Sequence, residues 1–326
     1  MNLINNDIIL KMNTLGKSGV PFFFMIDFEK NKPFVVPLSE IDTSILQFCF
    51  ENQAVEDVNP GKFVQNFHFN RLEFSYEKYS VAFDKVIHHL NRGDTYLLNL
   101  TFPVKIEIDI SLQQLYHLVK AKYKIWYKDQ FLVFSPEIFV RIKNNMIFSY
   151  PMKGTIDASL PQAESALLSD KKELSEHYTI VDLIRNDLSI VSKNVRVNQF
   201  RYIDHLKTNQ KHLLQTSSEI SGVLDKKWKE KLGEIIYQLL PAGSVSGAPK
   251  KRTCEIIADS EEFDRGYYTG VAGMFNGESL DSCVMIRFIE QRDGAYFYRA
   301  GGGITTQSHC KTEYNELIDK VYVPVI

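Results

Sequence analysis

In segment 104–110, VKIEIDI, the apolar residues Val104, Ile106, Ile108 and Ile110 alternate with Lys105, Glu107 and Asp109. A period of two is the spacing of a strand with one face buried and one face wet. Over residues 76–90 the period changes. Val81, Ala82, Val86 and Leu90 recur at helical spacing, and Asn91-Arg92-Gly93 supplies a stop. Further helices are expected over 171–187, 226–240 and 312–321. The first of these carries an apolar stripe of Leu174, Tyr178, Val181, Ile184 and Leu188, and the last one of Leu317, Ile318 and Val321.

Two strand-like runs, 137–142 and 146–150, flank Asn144-Asn145, a pair that tolerates the positive φ of tight hairpin turns. In that hairpin Lys143 pairs with Met146. Counting back sets Glu137 opposite Met152 and next to Lys153. A bulge, or a kink at Pro151, would change the face they share. The first 70 residues have short apolar runs at 22–28 and 34–36 broken by Gly, Pro and Asn, which suits strands better than helices. The expected division is a short strand-rich segment, 1–70, packed on a larger unit, 71–326. Strands and helices do not alternate regularly, so the fold class is α+β with antiparallel sheets, and not a doubly wound parallel sheet.

Composition narrows the class. The chain has 326 residues, 44% of them hydrophobic, and a formal charge of -2, with neither sign gathered into a long block. Nothing points to nucleic acid, no apolar run is long enough to span a membrane, and the polar trio Asn5, Asn6 and Asp7 interrupts any signal-like N-terminus. A cytoplasmic location is the default expectation. Cys49, Cys254, Cys283 and Cys310 stand far apart, so they read as free thiols, not as a metal or redox motif.

Candidate chemistry comes first from two carboxylate pairs three residues apart, Glu173 with Glu176 and Glu313 with Glu316. Each pair shares one helix face, and two such pairs facing each other suit a hard cation such as Mg²⁺. The bland alternative is a solvated face, with Lys320 an ordinary ion-pair partner four residues after Glu316. The segment LPAGSVSGAPKKR lacks the Lys-Ser/Thr ending of a phosphate loop, and Gly301-Gly302-Gly303 fits an anion cradle or a strand turn equally well.

Taken in order, GDTYLLNL, FSPE, PMKGT, KELSEHYTIVDLIRND, HLLQ, LPAGSVSGAPK, MIRF, AGGGI and EYNELIDK resemble the chorismate-utilising enzymes. That family includes anthranilate, aminodeoxychorismate, isochorismate and salicylate synthases. The resemblance implies large antiparallel sheets packed face to face with helices outside. It also implies that Glu176 and Glu316 bind Mg²⁺ directly, with Glu173 and Glu313 acting through water. Arg287, with backbone amides near Gly301 and Gly303, would hold the enolpyruvyl carboxylate. Thr155 would belong to the substrate-binding set, and His212 would lie beside the ring. Glu137 would be the general acid that protonates the departing C4 hydroxyl.

Within the family, a lysine at the position of Lys153 resembles the aminodeoxychorismate-forming branch of folate and p-aminobenzoate supply. Such a nucleophile must lose its proton, so the site is expected to depress its pKa. Leu97 departs from the Gln or Lys of relatives, and Met274 from a tyrosine. With no amidotransferase motif of its own, the chain would take free ammonia or receive it from a separate glutamine amidotransferase subunit. The alternatives are an anthranilate-forming enzyme and a non-catalytic chorismate-binding subunit.

Overall fold

A computed structural model describes residues 3–51, 53–57, 67–207 and 212–325. Two antiparallel sheets, nine-stranded each among the described residues, form the centre. From one edge the first runs Met152–Asp157, His212–Val223, Met146–Ser149, Ile138–Lys143, Leu280–Val284, Val271–Phe275, Phe22–Ile26 and Phe34–Pro37. Lys193–Lys207 pairs with His212–Val223. The second runs Gly247–Ala248, Leu97–Ile108, Ala295–Ile304, Phe288–Arg292, Phe131–Ser135, Tyr123–Tyr127, Leu46–Phe50 and Gln53–Val55, with Phe69–Arg71 against Leu97–Ile108.

The strand Phe22–Ile26 shows how the layers form. All five residues are buried, as an interior strand covered on both faces requires. Phe23 and Met25 point into the core between the sheets, where Phe23 stacks on Phe48 at 4.3 Å between centroids. Phe22, Phe24 and Ile26 point the other way, into a core closed by helices Lys171–Val191 and Leu232–Leu239. The outer face of the second sheet is closed by Tyr76–Asn91, Lys250–Ser260 and Cys310–Asp319. The order is helix, sheet, sheet, helix. Among the described residues no helix is long and apolar enough to cross a membrane.

Several expectations need correction. The N-terminus is not wholly strand and loop, because Leu3–Lys17 is a helix. Its buried positions are Asn5, Ile9, Met12 and Gly16, a helical spacing hidden by a polar and a tiny residue. Gly16 packs on Lys229 and Gly233 on Ile9, so backbones nearly touch where bulky side chains would advertise a helix. The Asn144-Asn145 hairpin forms with φ of 54° and 57°, and Lys143 pairs with Met146. The ladder nevertheless ends at Phe148 and Arg141, and Met152–Asp157 pairs with His212–Val223. Glu137 is therefore not opposite Met152. The two strands part after Phe148, before Pro151 is reached, while His212–Val223 on the other side keeps one register through Ser149 and Met152.

In helix Lys171–Val191 the expected stripe holds at Val181, Ile184 and Leu188, which are buried in the core, and fails at Tyr178. Tyr178 is exposed and stacks on Phe200 at 4.8 Å. The inward face is broader than that stripe and also takes in Glu173, Glu176, Ile180, Leu183 and Asp187, spaced by three and four residues. The two glutamates thus share the face of the core side chains.

Candidate active site

Two neighbouring crossovers between the sheets carry Glu137 and Arg287. The chain leaves Phe131–Ser135 of the second sheet, passes Pro136 and Glu137, and enters Ile138–Lys143 of the first. It returns from Leu280–Val284 through Arg287 to Phe288–Arg292. Backbone bonds stitch the crossovers together: Val284 N donates to Glu137 O at 3.1 Å, and Phe134 N to Arg287 O at 3.0 Å. Ser135 Oγ donates to Val284 O at 2.7 Å and accepts from Glu137 N at 3.1 Å. Arg287 holds a φ of 53°, a conformation that costs a non-glycine residue about 1–3 kcal/mol and gathers at functional sites.

Glu137 is half-buried, and Ser244 Oγ donates a hydrogen bond to its Oε1. Burial pushes its carboxyl pKa up, against the opposing effects of the Ser244 hydrogen bond and the charges of Arg287 and Lys320. The Arg287 guanidinium lies 5.2 Å from the Tyr322 ring centroid.

Lys153 precedes a bulge at Gly154, where φ is 80°. Its Nζ lies 2.6 Å from Glu176 Oε2, with side-chain exposures of 30% and 10%. Burial opposes the ammonium charge, but Glu176, followed by Glu173 and Glu316, outweighs it. The pKa of Lys153 is raised, contrary to the expected depression, because carboxylates surround the amine.

The Gly-rich strand joins the two carboxylate pairs. A Cβ on Gly302 would lie 3.5 Å from Lys320 Nζ, 3.8 Å from Glu316 Oε1 and 3.9 Å from Glu313 Oε2. One on Gly303 would lie 3.9 Å from Lys153 Nζ and 3.2 Å from Leu97 Cδ1. Glycine keeps this surface open between the two Glu-bearing helices. Lys320, read from sequence only as a helix-surface partner, bonds Glu316 Oε1 at 2.7 Å and Gly301 O at 2.9 Å. Burial lowers its pKa; Glu316 opposes this, and Arg287 and Lys153 add to it. The Glu316 partnership of Lys320 was expected and is present, but its reach to Gly301 was not, and Ser244 was overlooked although LPAGSVSGAPK contains it.

Among the described residues no three His, Cys, Asp or Glu side chains converge as a preformed metal centre. Beside Lys320 Nζ, the groups around Gly302 are nonetheless carboxylate oxygens, the chemistry of a hard cation, and Mg²⁺ retains waters and needs only one or two direct carboxylates. On that donor chemistry the residues fit Mg²⁺.

The other candidates make contacts of their own. His212 begins its strand with an exposed side chain, and its carbonyl accepts from Ala158 N at 2.8 Å. Thr155 is exposed beyond the bulge, its Oγ1 accepting from Gln215 Nε2 at 3.3 Å. Met274 is 5% exposed and belongs to the core between the sheets. The four cysteines are free.

Residues 37–325 match the profile of the chorismate binding enzyme family. An uncharacterized PabA-like protein of Haemophilus influenzae is 49% identical over 317 residues, covering 97% of this chain and 96% of that one. Aminodeoxychorismate synthase component 1 of Bacillus subtilis is 30% identical over 264 residues, 76% of this chain and 55% of its own length. Among solved structures, the menaquinone-specific isochorismate synthase MenF of Escherichia coli superposes with a TM-score of 0.73. It is 15% identical, and the match covers 97% of this chain and 80% of MenF, so that likeness concerns the fold alone.

Proposed function

The chain belongs to the chorismate-binding enzymes, and on that premise we propose that it is the component I of an aminodeoxychorismate synthase, converting chorismate and ammonia into 4-amino-4-deoxychorismate and water. The observation that carries this reading is the placement of Lys153 beside Glu176 and next to Gly303, where a lysine can reach a bound ring.

In this reading Lys153, an ammonium beside Glu176 at rest, first loses a proton to solvent, and its neutral amine then forms a bond to C2 of chorismate. The ring double bond shifts and the C4–O bond breaks, and Glu137 gives its proton so that water leaves. Ammonia then bonds to C4, the double bond returns, and the C2–Nζ bond breaks to free Lys153. The proton shed by the new ammonium group restores Glu137. Half-burial of Glu137 and its raised pKa support the acid role, since a carboxyl that ionises early has no proton to give.

Glu176 and Glu316 would hold Mg²⁺, with Glu173 and Glu313 behind them, and the ion would supply positive charge for the ring carboxylate of the substrate. Arg287, Lys320 and the backbone around Gly301–Gly303 would receive the enolpyruvyl carboxylate. Ammonia would come from a separate amidotransferase subunit, a reading supported by similarity to a protein named as a component 1.

The test is to incubate purified protein with chorismate, Mg²⁺ and ammonium and to identify the product by mass. A product that retains the enolpyruvyl group and gains nitrogen at C4 is expected. Anthranilate with pyruvate would overturn the assignment, and tight chorismate binding without turnover would make the chain a binding subunit.

A further inference from the structure

Ser244, the partner of Glu137, sits in the one-turn segment Gly243–Val245, and that turn rests on a buried ion pair. Asp187 Oδ1 lies 2.9 Å from Lys250 Nζ, with side-chain exposures of 11% and 20%. Lys250 Nζ also donates to Leu239 O at 2.9 Å. A Cβ on Gly243 would meet Asp187 Oδ2 at 2.9 Å and Leu183 Cδ2 at 3.1 Å, so the turn lies directly on the helix face that bears Asp187. Asp187 stands eleven residues after Glu176, close to three full turns of helix, and both therefore belong to one stripe. A largely apolar cavity separates Glu137 from Asp187, and Gly243 and Ser244 line its wall. The turn thus touches the ion pair and borders open space.

We propose that the Asp187–Lys250 ion pair is a positioning device for Glu137, fixing the Gly243–Val245 turn against helix Lys171–Val191 so that Ser244 reaches the Glu137 carboxyl. This rests on Glu137 being the acid of the reaction proposed above. Breaking the pair leaves a buried partner uncompensated, and the cavity gives the turn room to move away. Neither Asp187 nor Lys250 touches substrate in this arrangement; each acts through Ser244.

The pH dependence of kcat separates positioning from simple structural support. The groups that bear on Glu137 are Ser244 on the turn, Arg287 on the neighbouring crossover and Lys320 at the end of the last helix. Cys283 on the adjacent strand also feels its charge, and Asp187 faces it across the cavity. The Ser244 hydrogen bond favours the ionised carboxylate, so Ser244→Ala should move the basic limb to higher pH. Asp187→Asn should move it the same way if the turn is released. Removal of a negative charge acting directly across the cavity would move it to lower pH.

In the experiment, Asp187→Asn, Ser244→Ala and the double variant are compared with the native protein for the basic limb of kcat, with thermal melts alongside. The expected result is an upward displacement in each single variant, a fall in kcat of about tenfold, and no further displacement in the double variant. A limb that stays in place or moves down in Asp187→Asn overturns the proposal. Should Asp187→Asn not fold, Lys250→Met is read in the native and Ser244→Ala backgrounds. A displacement lost with Ser244 supports positioning, and one that persists overturns it. Glu137→Gln is the control for the underlying reading: full activity there would remove Glu137 as the acid, whatever the other variants do.

Discussion

Lys153 Nζ and Glu176 Oε2 stand 2.6 Å apart, joining a bulged edge strand to the inward face of the long helix Lys171–Val191. The pair makes Lys153 the counter-ion of a candidate cation ligand. Lys153→Ala should therefore abolish amination, by about a thousandfold or more in kcat, as loss of a covalent nucleophile does. Chorismate binding, followed by fluorescence or calorimetry, should survive. Amination at more than about a tenth of the native rate in the variant would remove Lys153 from the chemistry.

The same pair bears on the metal. Glu176→Gln keeps the shape of the side chain and removes its charge, so a cation held there loses a charged ligand. The Mg²⁺ concentration for half-maximal turnover should rise by at least about tenfold, which is about 1.4 kcal/mol of binding. An unchanged magnesium titration would show that Glu176 only anchors Lys153.

Glu137 sets the expected pH behaviour. Its folded pKa is raised by burial, so the protonated acid is present at low pH and is lost as pH rises through that raised value. Activity should fall on the basic side with a limb above the ordinary carboxylate range, and in Glu137→Gln that limb should vanish together with most of the rate. Initial rates measured across pH at saturating chorismate check it. The sign for stability is the same: burial of this carboxyl favours folding below its unfolded pKa, and that contribution declines as pH rises.

How much of this was legible in sequence depended on how local the cause was. The Asn144-Asn145 turn and its register follow from two neighbouring residues that tolerate positive φ, and both were read correctly. The α+β class followed from irregular alternation of elements. The pairing of Glu137 with Met152 did not form, because it depended on the ladder with Ile138–Lys143 continuing beyond Phe148, and a count of residues cannot see where two strands part. The inward setting of Glu173 and Glu176 was hidden for a related reason. Polar residues on a core stripe look like an outer face until the opposing Gly-rich strand is known. Ser244 and Lys320 gain their meaning from contacts 107 and 19 residues distant in sequence, with Glu137 and Gly301.

Stability should depend on a second buried pair. Arg265 and Glu261 are each 1% exposed, and Arg265 Nη2 and Nε meet Glu261 Oε1 and Oε2 at 2.6 and 2.8 Å. Arg265 also donates to Val245 O at 2.7 Å, and Glu261 accepts from Thr101 N at 2.9 Å, which ties the Ser244 turn to the second sheet. Glu261→Ala leaves a buried guanidinium without its counter-charge and should cost about 3–5 kcal/mol. Urea unfolding measures it; a loss below about 1 kcal/mol would mean that water reaches Arg265 once the partner is gone.

Gly303→Ala tests whether the Gly-rich strand lines the substrate pocket. No left-handed φ is required at Gly303, and the added methyl would meet only Leu97 Cδ1 at 3.2 Å and lie 3.9 Å from Lys153 Nζ. Leu97 is a flexible side chain, so it can yield by a few tenths of an ångström, and the melting temperature should barely change. The methyl nevertheless fills space beside the amine where a bound ring must lie. KM for chorismate should rise by about tenfold, corresponding to about 1.4 kcal/mol. Gly303→Ala combined with Leu97→Ala should recover part of it, since the leucine can then no longer press the methyl toward the pocket. A native KM in Gly303→Ala would place the substrate elsewhere on the surface between the two carboxylate-bearing helices.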